Sequence, residues 1–157
     1  MESSYLLWKM LHIFGVTVFV GNLIVTAFWK QMADLSGDPA VVAFGQKLVN
    51  WTDVTFTGLG AALILISGLM MGKPYDNDIW SIGWLSWGIG LFLASALLWG
   101  AVLFPLQVRQ AWLARQFTAG EEIPEQYLRL GRWWFRVALL ALALAMANLY
   151  FMVVKPL

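Results

Sequence analysis

Residues 5–29 read YLLWKMLHIFGVTVFVGNLIVTAFW. As a helix this run is long enough to cross a hydrocarbon layer of roughly 30 Å, which takes about 20 apolar residues. Taking every third or fourth residue gives Tyr5, Trp8, His12, Gly15, Phe19, Asn22, Thr26 and Trp29, which share one helical face. Nearly all the polar side chains of the run lie on that face, and Lys9 and Thr17 are the exceptions. Lipid does not select such a stripe, so this face is predicted to meet other helices.

The rest of the chain fits the same reading. Its 157 residues are 61% hydrophobic and only 12% charged, against about 25% charged in a soluble domain. Most of the 10 tryptophans fall near the ends of apolar runs, where amphipathic rings favour the membrane interface. Three further runs are long enough to span, at about residues 52–72, 80–104 and 133–154. The third run is expected to continue as an amphipathic stretch towards Phe117. The runs are continuous rather than alternating, so they are helices and not barrel strands. The predicted fold is therefore all-α: a single transmembrane domain over residues 1–157, built as an antiparallel four-helix bundle in the lipid bilayer. The first run is read as a span rather than a cleaved leader, because no A-x-A-like site follows it.

The connections carry further information. Gly37-Asp38-Pro39 breaks the chain, and the apolar-periodic piece that follows predicts a short interfacial helix at about 39–49. Lys73 to Ile79 reads as a tight polar turn, and Thr118-Ala119-Gly120 as a helix stop before Pro124. Basic residues gather in the first and third connections: Lys30, Lys47, Arg109, Arg115, Arg129, Arg132 and Arg136. Only Lys9, Lys73 and Lys155 fall on the other side. Positive-inside asymmetry then predicts a bacterial inner-membrane protein with both termini in the periplasm. The small-residue pairs Gly58/Ala62, Gly68/Gly72 and Gly90/Ala94 predict close helix contacts.

Two polar layers follow from counting residues inward from the helix ends. The outer layer holds His12, Ser67, Met70, Trp84 and Asn148. The second, nearer the cytoplasm, holds Asn22, Thr26, Asp53, Thr55 and Thr57. Thr55, Thr57 and Ser67 are read as bonding their own backbone. Asp53 is read as the cap of the second span, and the arginines of the last connection as meeting lipid headgroups. His12 is the only histidine of the chain, and an ionisable group inside a span is a functional candidate by default. Gly15, one turn away, leaves room on the same face, with Trp8 and Phe19 on either side. Such a gap beside an imidazole suits a haem iron ligand.

Trp8-Lys9-Met10-Leu11-His12-Ile13 resembles the W-x-K-x-L-H-I opening of HemJ-type protoporphyrinogen oxidases, and Gly83-Trp84-Leu85 resembles the G-W-L that begins one of their helices. Overall the chain is most similar to an uncharacterised family of bacterial four-helix integral membrane proteins, distantly similar to HemJ and to the membrane domain of CopD-type copper proteins. The HemJ resemblance implies His12 as axial ligand of haem b and a role in electron transfer or tetrapyrrole oxidation. HemJ also has a lysine shortly after G-W-L, where this chain has Ser86-Trp87-Gly88. With one histidine, such a haem is five-coordinate, takes a methionine such as Met70 or Met71, or sits between protomers.

Three functions are therefore expected from the sequence. The first is a haem-b protein with His12, Trp8, Gly15, Phe19, Trp84 and Asn148 around the macrocycle. The second is a copper-handling protein using His12, Met70 and Met71, since imidazole and thioether suit Cu(I). The third is a non-catalytic subunit or assembly factor of a larger membrane complex, or a homo-oligomer, because the spans show no evident proton or ion path. With no cysteine, disulfides, iron–sulfur clusters and thiol nucleophiles are excluded. No phosphate loop, Ser/His/Asp set or basic nucleic-acid stripe is present.

Overall fold

A computed structural model describes residues 2–72, 79–117 and 121–156. It contains four long apolar helices: α1 (Glu2–Ser36), α2 (Pro39–Gly72), α3 (Gly83–Ala114) and α4 (Glu125–Val154). Among the described residues there is no strand. Nearly all of the turn at Lys73 to Ile79, and the stop at Thr118-Ala119-Gly120, lie outside the described residues.

The break between α1 and α2 follows the sequence closely. Gly37 has φ 68°, a left-handed conformation that glycine takes without a Cβ penalty. Asp38 then caps α2, its carboxylate accepting from the backbone N–H groups of Ala40 (2.8 Å) and Val41 (3.4 Å), with Pro39 in the first turn. At the other end of the chain, α4 stops where Lys155 turns left-handed at φ 48° just before Pro156.

Two π-turns interrupt the regular helices. In α2, residues Asp53–Thr57 widen so that the N–H of Gly58 bonds the carbonyl of Asp53. The same widening occurs in α3 at Trp99–Leu103, where the N–H of Phe104 bonds the carbonyl of Trp99. Pro105 follows at once. It has no N–H to give to Ala101, and its ring would clash with that carbonyl in a regular helix.

The helices are longer than the predicted spans. Residues 39–49 are helical, but they form the first part of α2 and run into the second span without a break. With 34 residues, α2 is about 50 Å long, against roughly 30 Å of hydrocarbon. The excess falls at the end shared by the first and third connections, because the apolar runs occupy the rest. There the bundle builds a core of its own from Val42, Leu113, Ala114, Phe117 and Tyr127, with Phe117 edge-on to Tyr127 at 5.6 Å. A second apolar cluster, of Val49, Leu103, Trp134, Ala138 and Ala141, continues it towards the membrane.

Packing is uneven along the bundle. α1 pairs with α2, and α3 with α4, forming two antiparallel hairpins. The hairpins join mainly at the connection end, through the first part of α2 against the last part of α3, and through α1 against α4. Towards the termini, residues Gly58–Gly72 meet chiefly α1, and Gly83–Leu98 chiefly α4. Large apolar side chains at that end, such as Met10, Leu69 and Trp87, are exposed as a lipid-facing surface requires.

Glycines set the closest approaches. A Cβ on Gly15 would lie 2.9 Å from the Cβ of Leu63 and 3.1 Å from the carbonyl of Gly60, and one on Gly60 would meet Phe19 at 3.0 Å. The pair Gly90/Ala94 serves no such contact, since nothing lies within 4 Å of a Cβ at Gly90 and Ala94 is exposed. Gly15→Leu is therefore expected to part α1 from α2, costing about 1–3 kcal/mol, whereas Gly90→Leu is neutral. Melting of the two purified variants in detergent checks this, and equal melting temperatures would contradict the seam.

Candidate functional site

The charged side chains buried among the described residues lie towards the connection end on α1 and α2, and polar groups of all four helices meet them. Lys30 of α1 is 2% exposed. Its ammonium donates to both carboxylate oxygens of Asp34 (3.2 and 2.9 Å) and to the hydroxyl of Tyr127 on α4 (3.0 Å). It also lies over the rings of Tyr127 (5.0 Å) and Trp134 (5.9 Å), so the charge is enclosed by one anion and two aromatic faces. The Tyr127 hydroxyl has two acceptors in reach, Gln46 Oε1 on α2 (3.2 Å) and Asp34 Oδ1 (3.3 Å). Gly131 lets α4 come this close, since a Cβ there would meet Asp34 Oδ2 and Gln110 Nε2 at 3.3 Å each.

From Gln46 the polar chain turns inward. Its Nε2 donates to Asn50 Oδ1 (2.9 Å) and to the backbone carbonyl of Gln107 on α3 (3.4 Å). The Gln107 side chain in turn donates from Nε2 to Asp53 Oδ2. The other oxygen of Asp53 accepts from Asn22 Nδ2 on α1 (2.8 Å) and from Thr57 Oγ1 (3.2 Å). Asn22 Nδ2 also donates to Thr57 Oγ1 (2.9 Å), and its Oδ1 accepts from Thr26 (3.1 Å). Asp53 is 3% exposed and makes no ion pair among the described residues. Asn22, Thr57 and Gln107 all donate to it, the pattern an ionised carboxylate requires. The π-turn at Asp53–Thr57 begins on this residue, and π-turns are frequent at functional sites.

The second polar layer read from the sequence is thus assembled through Asn22, Thr26, Asp53 and Thr57, while Thr55 points outward. Two expectations are corrected. Thr57 bonds the side chains of Asp53 and Asn22 rather than its own backbone. Asp53 does not cap a helix, because α2 begins at Pro39 and runs through it; side chains satisfy its carboxylate instead. Sequence reasoning missed Lys30, Asp34, Gln46, Gln107 and Tyr127 as members of the site. A signal existed in α1: Lys30 lies four residues beyond Thr26 on the polar stripe, and Asp34 four beyond Lys30, the spacing of a helical ion pair. The glutamines of α2 and α3 carry no comparable pattern.

The outer layer does not form one site. His12 belongs to the first hairpin. Its Nδ1 lies 3.2 Å from the carbonyl of Ile64 and 3.0 Å from Ser67 Oγ, and its ring packs on Gly68. Ser67 donates its own proton to the carbonyl of Leu63. A carbonyl can only accept, so Nδ1 carries the proton and the Nε2 lone pair is left over. Trp84 and Asn148 belong to the second hairpin. The Lys155 ammonium lies 4.7 Å from the centroid of the Trp84 ring. Asn148 Oδ1 and the Met152 thioether lie against Gly88. Gly15 and Phe19 are used up in the α1–α2 seam, Trp8 and Met71 are half-buried and Met70 is exposed. The space beside Gly15 that a macrocycle needs is filled by Leu63 and the backbone of α2.

No curated protein and no solved structure matches the chain. The family model described as "Predicted integral membrane protein (DUF2269)" matches residues 6–156, nearly the whole chain. With its four apolar helices, the chain is an integral membrane protein and belongs to that family.

Proposed function

We propose that this membrane protein works through Asp53, as a carboxylate that takes up and releases a proton and passes the change to the helices around it. The observation that carries the reading is the burial of Asp53 without a facing cation, held by amides on two other helices. A charged group so placed within an apolar bundle is costly and is a functional candidate by default.

The surroundings make the change of state directional. Ionised, the carboxylate accepts from Asn22, Thr57 and Gln107. Protonated, it has an O–H to give; Thr57 can accept it by turning its hydroxyl, whereas the amide edges of Gln107 and Asn22 as they stand offer only donors. Gln107 relieves this by turning its amide to present Oε1, or Asn22 by presenting Oδ1, which Thr26 then gives up. Either turn alters contacts between α2 and α3 or α1. The nearest charged pair is Lys30–Asp34, reached through Gln107, Gln46 and Tyr127. The positive-inside orientation faces this end to the cytoplasm of a bacterial inner membrane. Infrared difference spectra of reconstituted protein, taken between neutral and acid pH, are expected to show a carboxylic-acid C=O band that Asp53→Asn removes. An unchanged difference spectrum in a folded Asp53→Asn protein would overturn the reading.

A second reading rests on His12. Anchoring of Nδ1 on a backbone carbonyl is how a ligating histidine is commonly oriented, with Nε2 directed to the metal. The residues named for haem do not fit as one cradle, because the seam occupies the space at Gly15 and the hairpins separate Trp84 and Asn148 from it. A haem b or copper ion on His12 would have to sit outside the α1–α2 seam. Protein purified from haem-replete cells would then show a Soret band that His12→Ala abolishes, and colourless protein counts against haem.

A further inference from the structure

A groove of about 490 Å³ opens between α2 and α3 at the connection end. Small residues, Ala43, Ala111 and Ala114, lie beneath it, and Lys47, Asn50 and Arg115 line it. Phe44 and Trp51, also at its edge, are each 66% exposed. Lys47 and Arg115 are exposed, and neither makes an ion pair among the described residues. Asn50 has its amide oxygen committed to Gln46 Nε2 at 2.9 Å, which leaves its NH₂ as the available edge. Two cations and an amide donor therefore line one concavity with no anion to answer them.

We propose that this groove binds the phosphate headgroup of an anionic phospholipid. The charge calls for a phosphodiester without a compensating ammonium, since a zwitterionic headgroup brings a cation against Lys47 and Arg115. Position favours a lipid over a soluble anion. The groove lies where α2 and α3 leave the apolar spans, and exposed Phe44, Trp51 and Trp112 put an aromatic rim at the headgroup level. Basic pockets between membrane helices on the cytoplasmic side hold anionic headgroups in this way. The occupant would also touch the polar chain, because Asn50 bonds Gln46, and Gln46 accepts from the Tyr127 hydroxyl.

The test is native mass spectrometry of the full chain released from bilayers that mix phosphatidylglycerol and phosphatidylcholine. One phosphatidylglycerol is expected to be retained per chain in preference to phosphatidylcholine. The double variant Lys47→Gln/Arg115→Gln is expected to lose it by roughly thirtyfold in affinity, at about a tenfold factor or less per removed cation. Arg129→Gln, outside the groove, serves as the control and retains it. Equal retention of both lipids, equal retention by the double variant, or displacement by millimolar inorganic phosphate would each overturn the proposal. All substitutions are at solvent- or headgroup-facing side chains, and gel filtration with circular dichroism confirms that the variants are folded.

Discussion

A lysine ammonium closed off from solvent can be tolerated only where its charge is met on every side. Removing such a group from water costs several kcal/mol even after the surroundings relax. Lys30 meets the requirement with Asp34 one turn along the same helix, with the Tyr127 hydroxyl, and with the faces of Tyr127 and Trp134. Two of those partners belong to α4, so satisfying the charge draws α1 and α4 together. Tyr127 in turn reaches Gln46, and Gln46 reaches the backbone of Gln107, which ties α2 and α3 to the same point. Close approach needs small residues on the helices that meet. Gly131 makes room for Asp34 and Gln110, and Gly45 lies where any Cβ would strike that of Ala33.

The polar cluster explains why the bundle is tight at one end and parted at the other. At the connection end, hydrogen bonds cross between hairpins, and an apolar core packs beneath them. Nearer the termini, the interhelical contacts stay mainly within each hairpin: Gly15 and Phe19 on the α2 backbone, and Gly88 against Met152. Lipid-like surfaces provide little hydrophobic drive to close the remaining gap, since apolar side chains are equally well solvated by acyl chains. His12 is held on its own hairpin by this arrangement, which is why it shares no site with Trp84 or Asn148.

The all-α bundle was legible because lipid leaves so few options: a continuous apolar run of about 20 residues has to be helix. The break at Gly37-Asp38-Pro39 was equally legible, since its chemistry is local. The site was legible only in part. Asn22, Thr26, Asp53 and Thr57 stood out as polar residues within apolar runs. Lys30, Gln46, Gln107 and Tyr127 did not, because they lie beyond those runs, where polar residues are ordinary. Their burial comes from helices that overhang the membrane and keep packing, a tertiary effect with no local signature. Gly15 misled for the same reason: one sequence cannot tell a gap left for a ligand from a gap filled by a neighbouring helix.

Hydrogen bonds through Gln46 and Gln107 join the Lys30–Tyr127 and Asp53 clusters into one connected unit. A double-mutant cycle of Tyr127→Phe and Asp53→Asn, read by reversible unfolding in mixed micelles, tests it most directly. A connected unit predicts that the two losses fail to add by more than about 0.5 kcal/mol, the limit seen for independent sites. Additivity within that limit, in folded variants, would contradict the account.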